Sequence, residues 1–148
     1  MIVAYLRPDG WDLPLFVHVL GAMVLFGGVL AASALGLSAW RGHAAPVVSR
    51  VALRTLLFVV LPGWVAMRAG AQWILDKEYP HTTPGWVDVG FAVSEPGGIF
   101  ILLLGGLAYA SARRGGRGRA TAAFATLAPV YLVALGVAWF AMSAKPGS

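Results

Sequence analysis

The 148-residue chain contains no cysteine, and only 11% of its residues are charged. Without cysteine there is no disulfide, iron–sulfur cluster, thiolate zinc site or cysteine nucleophile. The three histidines, His18, His43 and His81, are too scattered for a recognisable metal motif. There is no Walker loop, no glycine-rich dinucleotide fingerprint after a strand and no Gly-x-Ser-x-Gly elbow. A soluble domain of this size carries roughly twice this charged fraction. The composition therefore argues against a soluble enzyme, a nucleic-acid-binding domain and a disordered tail. The N-terminus has neither a basic n-region nor a small-residue cleavage site, so the first span is expected to act as its own signal-anchor.

What the chain does have is apolar length. Hydrophobic residues make up 59% of it, and the mean hydropathy is +0.77. A bilayer core of about 30 Å takes roughly 20 helical residues to cross. Four stretches satisfy this, at about 13–39, 51–75, 87–112 and 122–143. They are apolar on all sides and lack the period-two alternation of barrel strands. The expected fold is all-α, a polytopic four-transmembrane-helix bundle forming one domain over 1–148.

Charge sets the expected orientation. Arg41, Arg50, Arg54, Arg113, Arg114, Arg117 and Arg119 flank the first-to-second and third-to-fourth connections, whereas Asp9, Asp12, Asp76, Glu78 and Asp88 gather on the other side. Because Lys and Arg near span ends favour the cytoplasm, both termini are expected outside. The Arg113–Arg119 run then reads as a topology determinant that also touches anionic lipid, rather than as a nucleic-acid site. Trp11, Trp40, Tyr79, Trp86 and Trp139 fall near span ends, as an aromatic belt does. Gly27–Ala34 and Gly105–Ala112 are similar in sequence, which either a duplicated hairpin or shared small-residue packing would produce.

Ionisable groups within spans are expensive and mark either a structural or a functional centre. The candidates are His18, Arg68 and Glu95, each about 10 Å inside the outer boundary at 1.5 Å per residue. On a helical wheel His18 shares a stripe with Gly21, Ala22, Leu25, Ala32 and Gly36. Arg68 lines up with Arg50, Arg54, Leu57, Leu61, Trp64 and Gln72, and Glu95 with Gly98, Gly106 and Tyr109. These phases let all three face inward, with an Arg68–Glu95 ion pair and His18 bonded to Glu95 or to a kink-exposed carbonyl. Pro62, Pro96 and Pro129 interrupt three helices. Pro96 leaves two readings: a third helix running from about Val87, or one beginning at Pro96 with Ser94 and Glu95 in the entering loop. The loop 76–86, with its acids and His81, is the longest polar stretch on the outer side.

Phe16-Val17-His18-Val19-Leu20-Gly21-Ala22, followed by Gly27-Gly28, resembles the first helix of several small bacterial membrane families, including copper-resistance D-like proteins and four-helix membrane proteins of unknown activity. The segments 68–73 and 139–146 resemble actinobacterial members of that group, and nine Arg against two Lys suit a GC-rich bacterium. The resemblance implies a bacterial cytoplasmic membrane location. By analogy with haem-binding membrane helices carrying His-x-x-Gly, it makes His18 a candidate axial ligand. The chain departs from di-haem four-helix cytochromes, which pair four membrane histidines.

Three functions are therefore carried forward. The first is a non-enzymatic accessory or scaffold subunit with no cofactor, in which His18, Trp64, Arg68 and Glu95 form a buried outer-leaflet polar cluster fixing the bundle. Its partners are lipid and a second copy or another membrane subunit. The second is a redox protein holding haem b or quinone near the same four residues. The third is a small proton-coupled transporter acting as a dimer around Glu95.

Overall fold

The computed structural model describes residues 12–78 and 85–144, and all of their regular elements are helical. Helix α1 is Asp12–Trp40. Helix α2 has three consecutive parts: Ala45–Thr55, a π-helical Leu56–Val60, and Leu61–Glu78. Helix α3 is Gly85–Arg113, and α4 is Arg119–Ala144. All four are long and apolar enough to span a membrane, which makes this a multi-pass membrane protein. Asp9, Trp11, Tyr79, His81 and Lys145 lie outside the described residues.

Helix α2 begins at Ala45, ahead of the expected 51, because Pro46 sits in its first turn, where a missing N–H is tolerated. Arg50 is thus on the helix rather than preceding it, and both Arg50 and Arg54 are exposed. Helix α3 starts at Gly85 and runs through Pro96, so the helix does not begin at the proline.

Pro62 is accommodated by a local widening of α2. A proline ring crowds the carbonyl four residues earlier, which for Pro62 is that of Phe58. Phe58 lies in the widened π turn, where the Leu61 amide donates to the Leu56 carbonyl, five residues back. The buried face continues across this widening without a break. The buried side of α2 is Ser49, Ala52, Leu56, Val60, Gly63, Met67 and Gly70, and Arg54, Leu57 and Gln72 lie on the neighbouring, exposed stripe.

Helices α1 and α3 end in the same way. The His43 amide donates to Ser38 (3.1 Å) and that of Gly42 to Ala39 (3.0 Å), with Gly42 at φ 84°. At the other connection, Gly116 donates to Ser111 (2.7 Å) and Gly115 to Ala112 (3.4 Å), with Gly115 at φ 69°. Both are Schellman closures, which satisfy carbonyls left open at a helix end and favour glycine at the left-handed position. The two turns do not fall at equivalent places in the similar segments Gly27–Ala34 and Gly105–Ala112. Gly28 packs on Val60, whereas Gly105 and Gly106 have open space around them.

Helix α1 packs on α2 and α4, and α3 packs on the same two. Lipid offers no hydrophobic drive for helices to associate, so close backbone approach and interhelical hydrogen bonds have to do it. The α1–α2 contact is built that way from both sides. A side chain at Gly21 would strike the Met67 backbone, and one at Gly63 would come within 2.9 Å of the Leu25 amide nitrogen. At Gly70 it would reach 2.5 Å from the amide nitrogen of His18. A valine at Gly21 should therefore push the helices apart at a cost of roughly 1–3 kcal/mol. Thermal unfolding in detergent should show a clear loss of stability for Gly21→Val. Gly27→Ala, whose added methyl meets nothing within 4 Å, should melt with the wild type.

Candidate functional site

The four candidate residues divide between two places. His18 is half-buried on the α1–α2 contact, where its Nδ1 lies 2.9 Å from the Met67 carbonyl. A carbonyl can only accept, so Nδ1 carries a proton, and in the neutral ring Nε2 is the acceptor nitrogen. His18 is thus committed to α2 rather than bonded to Glu95, contrary to one of the two expected arrangements.

Arg68, Glu95 and Trp64 lie between α2 and α3. These two helices touch mainly along Ala45–Val60 and much less along Leu61–Glu78, so they part toward the end that carries the acids. Trp64 fills part of the widening gap. Its indole N–H donates to the Ser94 carbonyl at 2.8 Å, and its ring lies against Gly98, where a Cβ would come 2.8 Å from the ring carbons.

Further out, the Arg68 guanidinium spans the gap. Its Nη2 reaches Glu95 Oε1 at 3.2 Å, Nη1 reaches Gln72 Oε1 at 3.2 Å, and Gln72 Nε2 donates to Asp76 Oδ1 at 2.8 Å. The guanidinium carbon also sits 4.4 Å from the centre of the Phe91 ring, a cation–π contact. The result is a continuous polar track, Asp76–Gln72–Arg68–Glu95, along one side of the molecule.

The track is not buried. The Arg68 side chain is 23% accessible and that of Glu95 63%. The expected inward-facing cluster of His18, Arg68 and Glu95 is therefore corrected in two respects: His18 is elsewhere, and Glu95 points away from the helix packing. The physical reason is that the buried stripe of α3 falls on Ser94, Gly97, Ile101 and Leu104 rather than on Glu95, and that α2 and α3 part at this level and leave the Arg68–Glu95 side uncovered.

A buried interhelical fastening lies at the arginine end. Ser49 Oγ on α2 is 3.0 Å from Ser111 Oγ on α3, which is 2.7 Å from Thr121 Oγ1 on α4. All three are buried, and together they tie three helices. Sequence inspection does not single them out. A serine or threonine in a helix commonly bonds back to its own i−4 carbonyl, as Ser33, Thr55 and Thr126 do here.

Tyr131 was also missed. Its ring packs near Phe100, with centroids 5.2 Å apart. Its hydroxyl, against Gly97 and beside the Trp64 indole, is the one buried side-chain polar atom without a hydrogen-bond partner among the described residues.

No protein-family model, curated protein or solved structure matches the chain. The functional reading therefore rests on this geometry. Removing the Trp64 N–H with Trp64→Phe should lower stability by about 1 kcal/mol, because it strands the Ser94 carbonyl's side-chain contact. Tyr131→Phe deletes a hydroxyl with no partner and should leave the melting temperature unchanged or slightly raised. Circular dichroism melts of the two variants in the same detergent make the comparison.

Proposed function

We propose that this protein is a non-enzymatic scaffold or accessory subunit of the bacterial cytoplasmic membrane, assembling through the outward side of α2 and α3 with a second copy of itself. The observation that carries the reading is the Arg68–Glu95 ion pair, whose carboxylate is 63% accessible although it sits seven residues inside Asp88 on a membrane-spanning helix. Charged side chains near the bilayer centre cost about 2.5–3.5 kcal/mol each on insertion scales. A polar track at this depth is better explained by a neighbouring helix than by contact with lipid.

Below the track the same side carries an apolar cleft of about 310 Å³ between α2 and α3, lined by Leu57, Leu61, Ile101, Leu102, Gly105 and Tyr109. Small residues at a groove floor let another helix approach closely. The choice of a second copy follows from the charges. Arg68 and Glu95 offer both signs at one depth, so two copies related by a two-fold axis complement each other reciprocally. With the arginine-rich turns in the cytoplasm and both termini outside, the polar track belongs to the outer leaflet.

The cysteine-free chain suits disulfide mapping in native membranes. Single cysteines at Leu57 or Leu102 should give covalent dimers under mild oxidation, and adding Glu95→Lys should abolish them without loss of folded protein. Val133→Cys, which is 67% exposed on α4, should stay monomeric. Absence of dimer from both α2–α3 positions, or an equal yield from Val133→Cys, would overturn the proposal.

A second reading, a haem- or quinone-binding redox protein, has one observation in its favour. With Nδ1 held by the Met67 carbonyl, His18 presents an Nε2 lone pair in the state that metal-ligating histidines adopt. The cleft between α2 and α3 is not lined by His18. Protein expressed with haem precursor and purified should show no Soret band in oxidised or dithionite-reduced spectra. A band that shifts on reduction and vanishes in His18→Ala would favour the redox reading instead.

A further inference from the structure

The two arginine-bearing turns do more than set topology. They meet: Gly116, at φ 74°, lies against the backbone of Ala45, and a Cβ there would come 2.6 Å from the Ala45 carbonyl atoms. Between the turns is an open cleft of about 810 Å³, lined by Trp40, Arg41, Arg114, Gly116, Arg117 and Thr121 among others. This volume is in the range of small-molecule sites.

The charge of the cleft is unanswered from within. Among the described residues the side chains of Arg41, Arg114 and Arg117 make no hydrogen bond or ion pair, whereas that of Arg50 bonds the Pro46 carbonyl and that of Arg113 the Tyr109 hydroxyl. None of the residues lining the cleft is acidic, and all six acids of the chain lie toward the opposite end or before α1. The first turns of α2 and α4 both border the cleft, through Ala45, Pro46, Gly118 and Thr121, and add the positive ends of two helix dipoles. Planar guanidinium forks match phosphate oxygens in paired hydrogen bonds. The buried Ser49–Ser111–Thr121 chain directly behind the turns holds them in fixed relation.

We infer that this cleft is a stoichiometric binding site for a phosphate group, held by Arg41, Arg114 and Arg117. The shared chemistry fits the phosphodiester of an anionic lipid headgroup or a soluble phosphate compound. Exposed Trp40 at the rim, 61% accessible, suits the lipid, since its ring belongs at the membrane interface. The inference is independent of association through α2 and α3, so either can fail without the other.

The test is native mass spectrometry of the full chain in uncharged detergent, titrated with phosphatidylglycerol, phosphatidylcholine and, separately, inorganic phosphate. One phosphatidylglycerol per chain should bind saturably, in clear preference to phosphatidylcholine. Arg41→Gln, Arg114→Gln and Arg117→Gln should each weaken it about tenfold, the scale of one lost charged hydrogen bond. The control Arg50→Gln/Arg54→Gln removes two charges at the same end but none from the cleft, and should leave binding unchanged. Competition by inorganic phosphate at low concentration would support the site while assigning a soluble ligand. If binding does not saturate, or falls equally in the control, the attraction is diffuse surface charge and the inference is wrong. Gly116→Ala, which keeps every charge but forces the turns apart, should also weaken binding. Arg114→Lys should recover only part of the affinity, since it keeps the charge and loses the fork.

Discussion

Everything in this molecule is arranged around the close contact of α1 with α2. Gly21, Gly63 and Gly70 bring the two backbones together without intervening side chains, and the His18–Met67 hydrogen bond lies within the same contact. In lipid this kind of approach replaces the hydrophobic effect as the reason for helices to stay together. Once α1 and α2 are joined so tightly, α4 is seated against α1, with Gly36 lying against Phe124, and α3 is left to bridge α4 and the near half of α2.

The two ends of the molecule then behave differently. At the arginine end, matching Schellman turns and a buried chain of three hydroxyls hold α2, α3 and α4 in register. At the acidic end α2 and α3 diverge, and the gap is spanned by one indole and one guanidinium. Rigidity at one end and an open, polar, two-signed side at the other are what a subunit needs if it is to keep its own shape while packing against a neighbour. The same division leaves three unpaired arginines around a cleft at the rigid end, where a bound anion would meet little reorganisation cost.

Much of this was legible in the residues. Runs of apolar side chains long enough to cross a bilayer force helices, because an unsatisfied backbone group in hydrocarbon costs several kcal/mol, and the four long helices follow from that. The clustering of arginines at two connections was equally plain, and so was the opportunity for Arg68 and Glu95 to pair. These features depend on composition and local order, which a linear chain displays directly.

Three things depended on tertiary packing. A helical wheel shows which residues share a face but not which face meets a neighbour, so the outward placement of Glu95 was decided only where α2 and α3 part. Serine and threonine in a helix have a local acceptor always within reach, so only the crossing of α2, α3 and α4 selects Ser49, Ser111 and Thr121 for interhelical bonds. Glycines look alike in a sequence rich in them, yet Gly21 and Gly70 are pressed against a neighbouring backbone while Gly27 and Gly105 face open space. Composition was enough to make the chain span a membrane; which of its polar and small residues touch each other was decided by where the helices cross.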